Sequence, residues 1–218
     1  MKKCILLIMI LLIGCLLCAC EKHDVASDRQ FAEGKEEVAS TEEAKSEKQE
    51  AAEQWEKGYD LPVDEQEREE AESDCKKVIG LISDIYDCAD KGDASNVVLK
   101  DETIHEMQDR IKEKGYPVTV TGTYSSMENY EQFDNFIEEC LEGKSGSVVV
   151  YELHSDGGIG RDKFIFDGEN MYLVGASVTW DMNDVPGLFY ISYTRIKEWK
   201  YTDKGWFCYE LCVPEPPE

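Results

Sequence analysis

Only three histidines, His23, His105 and His154, are available for acid–base work near neutral pH. His154 lies two residues from Glu152 and two from Asp156, just before the glycine-rich run Gly157-Gly158-Ile159-Gly160. A base flanked by carboxylates beside a glycine loop has the parts for general acid–base chemistry, such as a hydrolase using His154 with Asp156 or Glu152. The competing reading is structural: Glu152 and His154 fall on one face of an alternating strand, where a solvated polar face accounts for both. His105, between Glu102 and Glu106, reads as a surface residue, and His23 sits in a polar stretch without chemistry. Asp181, Asn183 and Asp184 bring oxygen ligands to one short loop, but the loop lacks the glycine and glutamate register of an EF-hand. The glycines at 157–160 do not match a phosphate-binding fingerprint. No serine or cysteine stands in a recognisable nucleophile frame. The sequence implies no cofactor.

Nine cysteines fall into two groups. Cys75, Cys88, Cys140, Cys208 and Cys212 lie in the later part of the chain, and five thiols cannot all pair within it. Cys208 and Cys212, four apart on an expected strand, would stand ~13 Å apart. That is too far for a bond that needs Cα atoms within ~7 Å. Neither a CxxC pair nor paired histidines follows residue 20, so zinc has little support.

Cys4, Cys15, Cys18 and Cys20 belong to the N-terminal segment. There Lys2 and Lys3 precede an apolar run from Cys4 to Leu17, the charged-then-apolar layout of a secretory signal. The stretch Leu17-Cys18-Ala19-Cys20 resembles a bacterial lipobox, and Leu12-Ile13-Gly14-Cys15 fits the same pattern. The resemblance to bacterial lipoproteins implies a diacylglyceryl group on the lipobox cysteine and cleavage just before it. Cys20 is preferred over Cys15, because cleavage at Cys15 would leave an apolar start to an acidic segment. Two acyl chains hold a protein stably at a membrane where one is marginal, at ~0.8 kcal/mol per buried methylene. The expected location is the extracytoplasmic face of the cell membrane, reached through the lipid anchor, with an uncleaved anchor or ordinary secretion as the alternatives.

The formal charge of −24 disfavours nucleic acid and anionic lipid as partners, since both demand lysine and arginine. From Glu21 to about Asp64 the chain is dominated by Glu, Lys, Ala, Ser and Gln, too poor in apolar residues to offset its ordering entropy. The expected organisation is therefore a signal peptide over 1–19, an acidic disordered tether over 20–63 and a globular domain over 64–218.

In that domain the elements follow from periodicity. Cys75, Val78, Ile79, Ile82, Ile85 and Tyr86 recur at helical spacing, predicting a helix over 65–90 with Gly92 as its stop. Asp101 is placed to cap a second helix carrying Ile104, Met107 and Ile111 inward. Val118 to Val120 reads as a short strand. Ser125 and Glu128 suit a capping box that opens a third helix through Leu141, with Phe133, Ile137 and Cys140 on one face. After Gly146 the period becomes strand-like, with tight turns at 155–158, 167–170 and 203–205. The fold class is α+β: N-terminal helices packed on one face of a C-terminal antiparallel β-meander. At the level of architecture the order resembles the NTF2-like and cystatin-like folds.

The richest feature of the domain is its late aromatic group, including Trp180, Tyr190, Tyr193, Trp199, Trp206, Phe207 and Tyr209. Alternation puts Phe207 and Tyr209 on one strand face and Trp206 and Cys208 on the other. Aromatics beyond those needed for the core, with Trp199 and Trp206 foremost, form a candidate surface for an envelope protein, peptide or glycan. The functional expectation is a membrane-anchored module that binds or assembles, with the His154 hydrolase as the alternative. Mass spectrometry of the mature N-terminus should find a diacylglyceryl-modified Cys20; an unmodified Cys20, or retained Lys2 and Lys3, would overturn the assignment.

Overall fold

The computed structural model describes residues 52–92, 96–121 and 127–215. Cys15, Cys20 and the expected tether up to residue 51 lie outside the described residues, as does Ser125. Among the described residues, no helix is long and apolar enough to cross a membrane.

The domain is α+β. Helix α1 (Glu65–Cys88) leads to α2 (Asp101–Lys112), strand β1 (Val118–Val120) and helix α3 (Glu131–Leu141). Strands β2 (Gly146–Leu153), β3 (Ile159–Phe166), β4 (Met171–Trp180), β5 (Pro186–Tyr201) and β6 (Phe207–Leu211) follow. The six strands form one sheet in chain order. All neighbours are antiparallel except β1, which runs parallel to β2 as an edge strand.

The expected helix stripe is realised. Ala71, Cys75, Val78, Ile79, Ile82, Ile85 and Tyr86 are buried on α1, and the Asp64 carboxylate caps it by accepting from the Glu67 N–H at 2.8 Å. Three local expectations fail. The first helix stops at Cys88, because Ala89 turns extended before Gly92 is reached. Asp101 is the first helical residue, not the cap, which falls to Lys100 without a side-chain bond. The third helix begins at Glu131 because Glu128 is drawn into a backbone bridge with Val118.

The helices also divide between the two faces of the sheet, where one face was expected to take them all. Helices α1 and α2 pack on the face carrying Tyr151, Leu153, Ile159, Ala176 and Val178. Helix α3 packs on the other, its Phe133, Phe136, Ile137 and Cys140 set against Val150, Phe164, Phe166, Met171 and Leu173. Strands β3 and β4 therefore lie between two cores. That is why β4 is buried along most of its length despite its clean alternation in sequence.

Two irregularities re-aim β5. Register shifts between Ser177 and Val178 on β4 and opens a gap across from Phe189, leaving that ring exposed. A second shift between Ile196 and Glu198 moves Trp199 and Tyr201 onto the same face as Ile196. One extra residue inverts every side chain beyond it.

Residues 52–61, placed in the tether by composition, are packed on the domain. Leu61 donates its N–H to the Tyr193 carbonyl at 2.9 Å, and Arg195 donates to the Gly58 carbonyl at 2.6 Å. Trp55 meets Tyr172 and Tyr193 edge-on. This strap covers the part of β5 that precedes its pairing with β6. Gly58 has a φ of +78°, and a Cβ there would lie 2.9 Å from the Cys212 sulfur, so both conformation and space call for glycine.

Between α1 and β3 sits a buried ion cluster. Arg161 is fully buried (0 % exposed) and its guanidinium reaches Asp74 at 3.0 Å, Glu70 at 3.2 Å and Glu67 at 3.3 Å. Lys163, two residues on, binds Glu67 at 2.6 Å and Glu70 at 3.0 Å. Helical spacing aligns Glu67, Glu70 and Asp74 on one stripe, and strand alternation aligns the two cations against them. Removing one partner of a buried pair strands the other charges at a cost of about 3–5 kcal/mol. Arg161→Met should therefore lower stability by about that amount in urea denaturation at neutral pH. Adding Glu67→Leu and Asp74→Leu should recover most of the loss.

Candidate functional site

On the α3 face, the helix covers only one end of the sheet. Beyond it lies a groove of about 580 Å³, bounded by Met127, Tyr130 and Phe133 on the helix side and by Trp206, Phe207 and Tyr209 on the β6 side. Its remaining wall and floor are Thr119, Val150, Asp162, Phe164, Tyr201, Lys204 and Gly205. The aromatic rings form a continuous edge-to-face set: Phe133 on Phe164 at 5.4 Å, Phe133 on Phe207 at 5.2 Å, and Phe164 on Tyr209 at 5.7 Å. Such contacts fix ring orientation beyond what area burial alone provides. Tyr201 is held by donating its hydroxyl to Asp134 of α3 at 2.6 Å, which ties the β5 wall to the helix.

Of the two expected binding tryptophans, Trp206 lines this groove and is half-exposed. Trp199 is half-buried and tilted on Phe207 at 6.0 Å. Trp206 was assigned to the strand face opposite Phe207 and Tyr209. It precedes β6, in a turn whose Trp206 N–H bonds the Thr202 hydroxyl, so alternation does not govern it and it joins their groove.

Asp162 was not singled out by sequence. It is on β3 opposite Val150, and Glu152 is its diagonal neighbour on the same face. Burial, then the adjacent Glu152 carboxylate, pushes its pKa up to about 6, with Arg161 opposing. The same two carboxylates and burial raise Tyr190, and hold Tyr209 up at about 12, with burial the larger cause in each. A charged residue between apolar strand positions was the available signal, but only the register reveals its pairing with Glu152.

The other expected site residues are dispersed. His154 Nδ1 lies 3.4 Å from the Thr121 hydroxyl, which donates to Glu152 at 2.9 Å. Its Nε2 is buried without a hydrogen-bond partner among the described residues, above Gly160, where a Cβ would come within 3.1 Å of it. Asp156 does not meet the ring. Its carboxylate accepts from the Gly158 N–H at 2.8 Å and borders a separate cavity of about 450 Å³ beside Tyr86 and Trp180. Those two rings are stacked at 4.0 Å, with the Lys91 amine 4.0 Å over Tyr86.

Asp181 turns its carboxylate onto the N–H groups of Asn183 and Val185, at 2.7 and 2.9 Å, closing its own loop. Asp184 pairs with Lys91 at 2.8 Å. No group of three or more His, Cys, Asp or Glu placed to hold a metal occurs among the described residues. His105 lies on exposed α2 surface, its ring nitrogen 2.6 Å from the Asp101 carbonyl. Cys75, Cys88, Cys140, Cys208 and Cys212 are free thiols. Burial pushes Cys75 and Cys140 up to about 11, which makes both poor nucleophiles.

The groove, and all of its α+β frame but the first three residues of α1, fall within residues 68–218, which match the model of a family of unknown function, DUF6070. The chain belongs to that family. No curated protein and no solved structure matched it.

The raised Asp162 has a direct consequence for stability. A folded pKa of about 6, above the ordinary 3.8, means that the folded chain holds this proton more tightly than the unfolded one. The resulting contribution is complete below the ordinary value and is lost as pH rises through about 6. Asp162→Asn should remove that slope and stabilise the domain at neutral pH by up to about 3 kcal/mol, at ~1.4 kcal/mol per pK unit. Urea titrations of both proteins across this pH range would check it.

Proposed function

We propose that this protein is a lipid-anchored extracytoplasmic module that binds a ligand and performs no chemistry on it. The observation that carries the reading is the aromatic groove between α3 and the β5–β6 hairpin, with a carboxylate on its floor. A largely apolar concavity with a few polar groups and a perturbed titratable residue is the usual form of a binding site. Support for binding over hydrolysis comes from the acid–base residues. Among the described residues no carboxylate is hydrogen-bonded to the His154 ring, and Asp156 is committed to its own turn. The anchor follows from the lipobox-like segment ending at Cys20, and the high negative charge argues against nucleic acid as the partner.

The test is a peptide and glycan array probed with the mature chain and with Trp206→Ala. Half-exposed Trp206 contributes little to the core, so the variant should keep its stability within about 1 kcal/mol. It should lose roughly tenfold or more in affinity for whatever the native chain retains. Retention that is indifferent to Trp206 would remove the groove as the binding site.

A further inference from the structure

Resting on the groove as the binding site, we propose that its ligand carries an organic cation, an ammonium group seated over Asp162 and enclosed by the aromatic walls.

The charge balance of β3 supplies the argument. Arg161 and Lys163 flank Asp162 in sequence, but alternation sends both to the α1 face, where Glu67, Glu70 and Asp74 engage them. Asp162 points the other way and lines the groove. No hydrogen bond or ion pair to it occurs among the described residues. The titratable groups facing it are Glu152 from β2, Tyr190 from β5 and Tyr209 from β6, with His154 beside Glu152; the first three supply no positive charge. Lys204 stands exposed in the β5–β6 turn at the rim and is not among the charges that act on the carboxylate.

Among the described residues the groove floor is thus a carboxylate with no cation paired to it, Arg161 acting on it only through space from the opposite face. The groove lining carries the aromatic rings of Tyr130, Phe133, Tyr201, Trp206 and Tyr209. Aromatic faces attract cations, more strongly once these are desolvated. A neutral ligand would cover Asp162 and leave its charge unpaired, which carries a desolvation cost; an anion would be repelled by both carboxylates. An ammonium group satisfies floor and walls together.

Choline and its neutral isostere 3,3-dimethylbutan-1-ol separate charge from shape. Titrated into the mature chain at millimolar concentrations and followed by tryptophan fluorescence and NMR, choline should bind at least tenfold more tightly than the alcohol. Asp162→Asn, expected to fold at least as stably as the native chain, should abolish that preference. Native affinity for choline should fall as pH drops below about 6, stay flat in Asp162→Asn and still fall in His154→Ala, which separates Asp162 from the neighbouring imidazole. Equal binding of the two probes, no binding of choline, or a preference that survives Asp162→Asn would overturn the inference. If a neutral glycan or peptide binds in a Trp206-dependent way while choline does not, the groove stands and the cation falls. Loss of all Trp206 dependence removes the groove itself.

Discussion

The interaction on which the rest of the structure depends is the enclosure of Arg161 by three carboxylates of α1. A fully buried guanidinium is tolerated only when its donors are met, and a planar fork with five donors suits several acceptors arrayed along a helix. The requirement fixes the height and rotation of α1 on the sheet, because Glu67, Glu70 and Asp74 must all face one strand position. It also sorts the charges of β3, cations toward α1 and the lone anion toward the opposite face. The electrostatic character of the groove is in this sense set from the far side of the sheet.

Geometry of the groove comes from a different device. A regular β5 would turn Trp199 and Tyr201 away from α3, and the irregularity near Glu198 brings them back. Tyr201 then reaches Asp134, and the β5–β6 hairpin becomes a wall instead of an open edge. Helix α3 is short, 11 residues, so it seals the core around Phe136 and Ile137 without extending over Asp162. Two cores and, between helix and hairpin, a strip that α3 does not cover are the outcome.

Much of the frame was legible from periodicity. The α1 stripe, the inward Ile104, Met107 and Ile111, and the run of hairpins all follow from repeats that survive without tertiary help. What failed was decided by distant partners. Glu128 left its capping role for a bridge to Val118, and Trp206 escaped alternation by sitting in a turn. Asp162 was invisible because its neighbours, Arg161 and Lys163, suggest local neutralisation that the pleat forbids. The acid-rich start of α1 suggested only a favourable helix dipole, when its carboxylates were counter-ions for residues some 90 positions away.

The strap over residues 52–61 has a mechanical meaning. It enters along the edge of β5 on the α1 side of the sheet, held by two backbone hydrogen bonds, the Arg195 contact to Glu56 and the edge-on packing of Trp55. Tension applied from the N-terminal direction is therefore taken up by the strap and β5 before it reaches α1. The groove opens on the other side of the sheet, out of that line of force. A domain held from one end could be pulled and still keep its aromatic walls in place, because the first bonds to yield would be those of the strap.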